Sequence, residues 1–334
     1  MAHATVHALS TGSLTLPERF FITPADNEAK RTVPSLSFLI QHRSADGITT
    51  RLVFDLGLRR DTNLYPSVLQ KHIASRSPVT THPDAVASLA KGGLNPSDIN
   101  FILFSHVHYD HVGLPSDFSS PTKFIVGPGA LDLLSGKTQL NIGSHSFFEP
   151  DLLPPDRTIE LPTPTTTNPI LEATKPLPLK AEAATDTPLI LTWSSRPLLP
   201  FKNTIDLFGD GTIYILNAPG HLPGHINLLI RTSSSSTQES PKFVLLAGDA
   251  CHDIRLFTGE RDIATWQDDS GRQCCIHYDI PRAKETIGRL ARVQREGIET
   301  EVGGVRGEVE VVFAHNWEWE GDAVRRGRFW PGRL

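Results

Sequence analysis

The sequence predicts an α/β sandwich, two strand-rich halves packed together with helices outside. Three observations predict it. Short β-branched, apolar runs recur in both halves, helical periodicities separate several of them, and clusters of His and Asp begin where such runs end. The 334 residues, 39% of them hydrophobic, suffice for a single large domain spanning 1–334.

Ser35–Ile40 and Thr50–Asp55 are expected to pair as a hairpin across the turn containing Asp46-Gly47, with Gly57 closing the second strand. From Asp84 to Leu94 the spacing predicts a helix capped by Asp84 and stopped at Gly92-Gly93. Ile99–Phe104 is a continuous apolar run suited to a strand buried on both faces. Lys123–Val126 is another strand, and Pro128–Leu134 a short helix ended by Gly136. At about 149–200 the texture turns to Pro, Thr and Ala, an insertion expected to run over the surface without regular hydrogen bonding, as a tolerated loop or a lid. Strands resume at Thr212–Leu216, His225–Ile230, Lys242–Ala247 and Glu308–Phe313. Between the last two, Ile280–Gln294 carries one apolar helical face capped by Asp279.

A formal charge of −5 disfavours binding to nucleic acid, which requires a clustered basic surface. Arg325, Arg326, Arg328 and Arg333 form the one locally basic stretch and are expected as a solvated tail. Three cysteines with no CxxC pair argue against a disulfide framework or a structural zinc knuckle, and favour a reducing compartment. The N-terminus lacks the pattern of an export signal, and no apolar stretch reaches membrane length, so the expected location is cytoplasmic and away from membranes.

The chemistry concentrates in His106-Val107-His108-Tyr109-Asp110-His111, followed by His221, Asp249 and His315. Imidazoles two residues apart converge on one ion, and the adjacent Asp110-His111 pair can face a second. Zinc suits this mixture of nitrogen and carboxylate oxygen. A lone histidine is usually an ordinary polar residue, but three His and one Asp within six positions after a buried strand need a metal or dense hydrogen bonding to offset desolvation.

Five motifs together resemble the metallo-β-lactamase superfamily of hydrolases: Phe54-Asp55-Leu56-Gly57, Ser105 through His111, Ala218-Pro219-Gly220-His221, Ala247-Gly248-Asp249 and Phe313-Ala314-His315. The resemblance implies a four-layer αββα sandwich with two Zn²⁺ at one edge, other divalent metals being possible. His106, His108 and His221 would hold one ion, Asp110, His111 and His315 the other, and Asp249 would bridge them. Asp55 would orient ligands, and His225, beside His221, would either support the ligands from behind or be structural.

An aspartate at 249, where β-lactam-destroying members carry Cys or Ser, turns the expectation from antibiotics to acyl-homoserine lactone lactonases. The implied reaction is hydrolysis of a lactone or related carboxylic ester by a hydroxide bridging the ions, with Asp110 orienting it and carrying a proton. Lactonases place a tyrosine three residues after the bridging aspartate, whereas His252 stands here and is expected to hydrogen-bond the substrate or to line its pocket. Thioester hydrolysis of the hydroxyacylglutathione hydrolase or polyketide thioesterase type is the alternative, although no cationic cluster lies near the motifs. A nuclease or a non-catalytic binding module ranks lower. Trp193, Phe201, Phe257, Trp266 and Trp317 are candidates for an apolar acyl pocket. The partner is a small molecule, and the oligomeric state is not legible.

Overall fold

The computed structural model describes residues 1–140, 147–164, 189–194, 198–232, 240–299, 306–322 and 327–334. Two six-stranded sheets dominate. In the first, the strands run in the order His3–Leu9, Ser37–Arg43, Thr49–Phe54, Phe101–Leu103, Lys123–Val126, Thr158–Glu160. In the second the order is Thr204–Asp206, Ile213–Asn217, Ile226–Arg231, Lys242–Leu246, Arg306–Val312, Ile298–Glu299.

Side-chain alternation shows how the layers form. Ile40, Leu52, Leu103 and Ile125 point from the first sheet into the same cluster as Ile215, Leu228, Leu246 and Val312 of the second. Their sequence neighbours Leu39, Val53, Ile102 and Phe124 point the other way and pack with Leu89 and Leu133 of the helices Ala85–Ala90 and Ala130–Leu134. The second sheet does the same: Leu229, Leu245 and Val311 cover Ile287 and Leu290 of the helix Ile280–Glu296. Runs apolar at every position are therefore buried on both faces, and the outcome is the αββα sandwich. Within the first sheet, Thr49–Phe54, Phe101–Leu103 and Lys123–Val126 are parallel, as are Lys242–Leu246 and Arg306–Val312 in the second. Their carboxyl ends open on one edge, where ligands bind in open α/β sheets.

The capping residues expected from the sequence are in place. The Asp84 side chain accepts from the Ala87 N–H and Asp279 from the Arg282 N–H. Corrections concern the stretches lacking an apolar signature. His3–Leu9 is a full strand, paired antiparallel with Ser37–Arg43. Within the 149–200 insertion, Thr158–Glu160 extends the first sheet in parallel beside Lys123–Val126. A three-residue edge strand tolerates flanking prolines because the inner strand supplies the pairing pattern. Residues 165–188 and 195–197 of the insertion lie outside the described residues. The basic C-terminal stretch is not a solvated tail where it is described. Arg328 pairs with Glu310 at 2.8 Å, and the Trp330 and Leu334 N–H groups donate to Ala8 and Val6; Arg325 and Arg326 lie outside the described residues. Among the described residues no helix is long and apolar enough to cross a membrane.

Phe124 is wholly buried and stacks against Phe104 with centroids 6.2 Å apart. Phe124→Ala should cost about 3–5 kcal/mol by the transfer and cavity terms, read as a lowered urea midpoint with an unchanged slope; a loss under about 1 kcal/mol would contradict the packing described.

Candidate metal centre

Every sequence-predicted ligand follows the carboxyl end of a strand. His106 comes three residues after Phe101–Leu103, His221 after Ile213–Asn217, Asp249 after Lys242–Leu246, and His315 after Arg306–Val312. His108 precedes the one-turn helix Tyr109–Val112, which turns Asp110 and His111 back toward the sheet edge. Two glycines let the loops close in. A Cβ on Gly220 (φ +133°) would lie 2.3 Å from the Ala283 nitrogen, and one on Gly248 (φ +49°) 2.6 Å from the Ser105 Cβ.

The seven side chains converge in two sets. His106 Nε2 lies 2.8 Å from His108 Nδ1, and His221 Nε2 lies 3.2 and 3.1 Å from those same atoms. Nitrogens about 2.0–2.1 Å from one tetrahedral ion would be roughly 3.3 Å apart, so this triad has the spacing of a cradle. The second set is Asp110, His111 and His315, with His315 Nε2 3.5 Å from Asp110 Oδ2. Asp249 faces both. Its Oδ2 is 3.7 Å from both His106 Nε2 and His221 Nε2, while its Oδ1 is 3.2 Å from His111 Nε2 and 3.3 Å from His315 Nε2.

A second rank of bonds aims these groups. Asp55 sits at φ +61°, a left-handed conformation that Asp tolerates better than most residues. It accepts from the Ser105 N–H and Oγ–H, both at 2.7 Å, and lies 2.9 Å from His111 Nδ1. The Ser105 Oγ in turn lies 2.9 Å from His106 Nδ1, and His315 Nδ1 lies 2.7 Å from the Pro34 carbonyl. Occupying each Nδ1 leaves each Nε2 for the cluster. His225 belongs to this rank: its Nε2 accepts the Asp249 N–H at 3.2 Å.

Burial and close opposing charges shift the titration of these groups strongly. Burial pushes the Asp249 carboxyl upward, but the imidazoles of His111, His315 and His252 outweigh it and hold Asp249 well below the ordinary carboxylate value. Burial would lower His111, yet the carboxylates of Asp249 and Asp55 raise it well above the ordinary imidazole value. His315 is also raised, with Asp249 and Asp110 overcoming burial. His106 and His221 are driven well below that value by burial and neighbouring imidazoles. Among the described residues, buried His111 Nε2 and Asp249 Oδ1 face each other without a well-directed hydrogen bond. An all-nitrogen-and-oxygen donor set with such atoms fits divalent cations of the zinc type.

Over the cluster lies a small cavity of about 30 Å³, walled by Leu16, Phe21 and Ile276 on its apolar side and by His72 and Arg76 on its polar side. His252 lines it with Nε2 3.0 Å from Asp249 Oδ2. Sequence reasoning missed three residues. His277 groups with His221 and His252, while His72 and Arg76 come from the helix Ser67–Ala74 and the residues just after it. His72 and Arg76 lie some thirty residues from the nearest ligand in sequence, with no metal-ligand spacing to reveal them. None of the five aromatic candidates lines this cavity. Phe201 is in the core, Trp193 bonds the Pro162 carbonyl at 2.5 Å, Phe257 packs on Phe313, Trp266 on Phe20, and Trp317 lies under Arg31. A wider surface hollow, lined by Leu256, Gly259, Lys284 and Arg295, lies away from the ligands and contains none of them.

Comparison with known proteins identifies the family and the fold. A model described as the Metallo-beta-lactamase superfamily matches residues 31–233. The chain is 30% identical over 253 residues to the metallo-hydrolase mfmC of Annulohypoxylon moriforme, covering 74% of this chain and 56% of that protein. It is 30% identical over 232 residues to a gamma-lactamase of Fusarium pseudograminearum, covering 65% and 45%. The chain thus spans about half the length of these relatives. Among solved structures, AiiA of B. thuringiensis with N-decanoyl-L-homoserine at its active site aligns over 100% of both chains with a TM-score of 0.60 at 17% identity. A quorum-quenching N-acyl homoserine lactone lactonase aligns over 100% of this chain and 99% of that one, with a TM-score of 0.59 at 18% identity. At these identities the likeness shows the fold.

Two outcomes test the site. Asp55→Asn, which the left-handed backbone tolerates, should weaken zinc binding by about 10- to 100-fold in chelator competition, and unchanged affinity would contradict the orienting role. Because His111 and His315 hold protons above the ordinary imidazole value while ligands must be unprotonated, metal uptake near pH 7 should release protons and weaken as pH falls. Calorimetry in buffers of different ionisation enthalpy should give different apparent heats; buffer-independent heats would contradict it.

Proposed function

Because the chain belongs to the metallo-β-lactamase superfamily, we propose that it is a dinuclear zinc hydrolase that opens a lactone or related carboxylic ester of a small molecule. The observation that carries the reading is the division of one carboxylate: Asp249 turns Oδ2 to the His106–His108–His221 set and Oδ1 to the His111–His315 side. In this reading His106, His108 and His221 hold one ion, Asp110, His111 and His315 the other, and Asp249 both. When bound, such ions supply Lewis acidity toward the acyl oxygen and make water a nucleophile at neutral pH.

The chain's own residues do the rest. Asp110, at the cavity wall, orients the attacking water and takes up its proton for delivery to the leaving oxygen. His252 is held by Asp249 Oδ2 at 3.0 Å. Once that oxygen serves as a ligand, the imidazole N–H is left for the substrate carbonyl, the role a tyrosine phenol has in the lactonases that the sequence resembles. Leu16, Phe21 and Ile276 exclude bulk water from the reacting carbonyl.

A second reading, opening of a γ-lactam, is favoured by the similarity to gamma-lactamases of two Fusarium-type fungi, F. pseudograminearum and Gibberella moniliformis. An amide needs its nitrogen protonated as it leaves, a task within reach of Asp110. A panel of an N-acyl lactone, an aryl ester, a γ-lactam and a thioester separates the readings. The lactone should be hydrolysed fastest, with activity lost to chelation, restored by zinc, and lowered about 10²-fold or more in Asp110→Asn. Turnover of the thioester or the lactam alone would replace the proposed substrate class, and turnover of none would remove the hydrolase reading.

A further inference from the structure

One cation at the cavity, Arg76, has no hydrogen-bonded or ion-paired partner for its side chain among the described residues. Arg76 is fixed at its backbone: its N–H donates to the Ile73 carbonyl at 2.9 Å and its carbonyl accepts from the Thr15 N–H at 2.8 Å. Its guanidinium lines the cavity shared with His108, Asp110, Asp249, His252 and His315. There it makes no hydrogen bond or ion pair with any described residue, and it lies over the Phe20 ring at 5.9 Å. Three other arginines have partners within the protein. Arg59 donates to the Gly113 and Leu64 carbonyls and to Glu149, Arg157 to the Phe118 and Thr122 carbonyls, and Arg255 to Asp253 and Glu18. Its N–H donors, partly withdrawn from water beside a candidate reaction centre, are open to an acceptor that a substrate brings.

We propose that Arg76 determines specificity by pairing with a carboxylate that the substrate carries beside the acyl bond to be cleaved, so that the substrate class is a carboxylated lactone or ester. This rests on the proposed function and narrows it. The planar fork of a guanidinium matches a carboxylate with two parallel hydrogen bonds. Among the described residues Arg76 is the one Lys or Arg lining this cavity, together with the apolar Leu16, Phe21 and Ile276, and one guanidinium suits one carboxylate. The charged and titratable groups facing Arg76 are His72, Tyr109, Asp110 and Arg19. Arg19 is itself bonded to the Asn27 carbonyl at 2.5 Å, and Asp110 turns its Oδ2 to His315. Tyr109 and Asp110 act on Arg76 through space, but neither is hydrogen-bonded to it or ion-paired with it.

The test uses zinc-loaded full-length protein, the variants Arg76→Gln and Arg76→Lys, and two readouts. In calorimetry, glutarate should bind the wild type about 10- to 100-fold more tightly than butyrate, since one carboxylate can meet the cluster and the other Arg76. Arg76→Gln should erase that difference and Arg76→Lys retain part of it, with zinc content and melting temperature unchanged in both. In kinetics, a carboxylated aryl ester should be preferred over its neutral primary amide in kcat/KM by a similar factor, again erased in Arg76→Gln. A wild type without preference, or an Arg76→Gln variant that keeps it, would overturn the inference while ester hydrolysis stands. If neither ester turned over, the hydrolase reading would fail and the glutarate–butyrate comparison would still decide Arg76.

Discussion

The buried carboxylate of Asp249 is the constraint on which the rest of the site depends. A carboxylate removed from water is costly unless opposing charge surrounds it, and here imidazoles meet both of its oxygens. Holding it there demands loops that approach closely, which is why glycines stand at 220 and 248, where a Cβ would collide with Ala283 or Ser105. It also demands that each imidazole present a chosen nitrogen. Asp55 does this for His111 directly and for His106 through Ser105, while the Pro34 carbonyl does it for His315. One carboxylate at a strand tip thereby sets the orientation of two histidines.

The sandwich is what gathers these groups. Parallel strands present their carboxyl ends at a common edge, so ligands separated by over two hundred residues, His106 and His315, meet without a dedicated scaffold. The sheets are rigid because apolar residues cover both of their faces. The resulting precision comes from the core, while the chemistry is left to the loops that follow each strand.

Much of this was legible in the sequence, for identifiable reasons. Apolar runs such as Ile99–Phe104 and Lys242–Ala247 announce strands buried on both faces, and Asp84 and Asp279 announce helix starts through side chains that can only be satisfied there. The His-rich cluster announced itself by the density of groups that are costly to bury. His3–Leu9 was missed because its alternation of His, Ala and Thr carries little apolar contrast, and its register is set by Ser37–Arg43. Thr158–Glu160 was missed because prolines hide a strand whose pairing comes from its neighbour. Arg76 and His72 were illegible for a different reason. An unpaired cation has no sequence signature, and only the packing of the helix Ser67–Ala74 places it beside the ligands. The aromatic candidates failed likewise, since residue type alone does not say whether a ring packs in the core or faces a cavity.

The most direct measurement is the position and number of metal ions in crystals of zinc-loaded protein, located by anomalous scattering at the zinc edge. The account predicts two peaks, one on each side of the Asp249 carboxylate, the first among His106, His108 and His221 and the second among Asp110, His111 and His315. A single peak, or a second one coordinated away from Asp249, would contradict it.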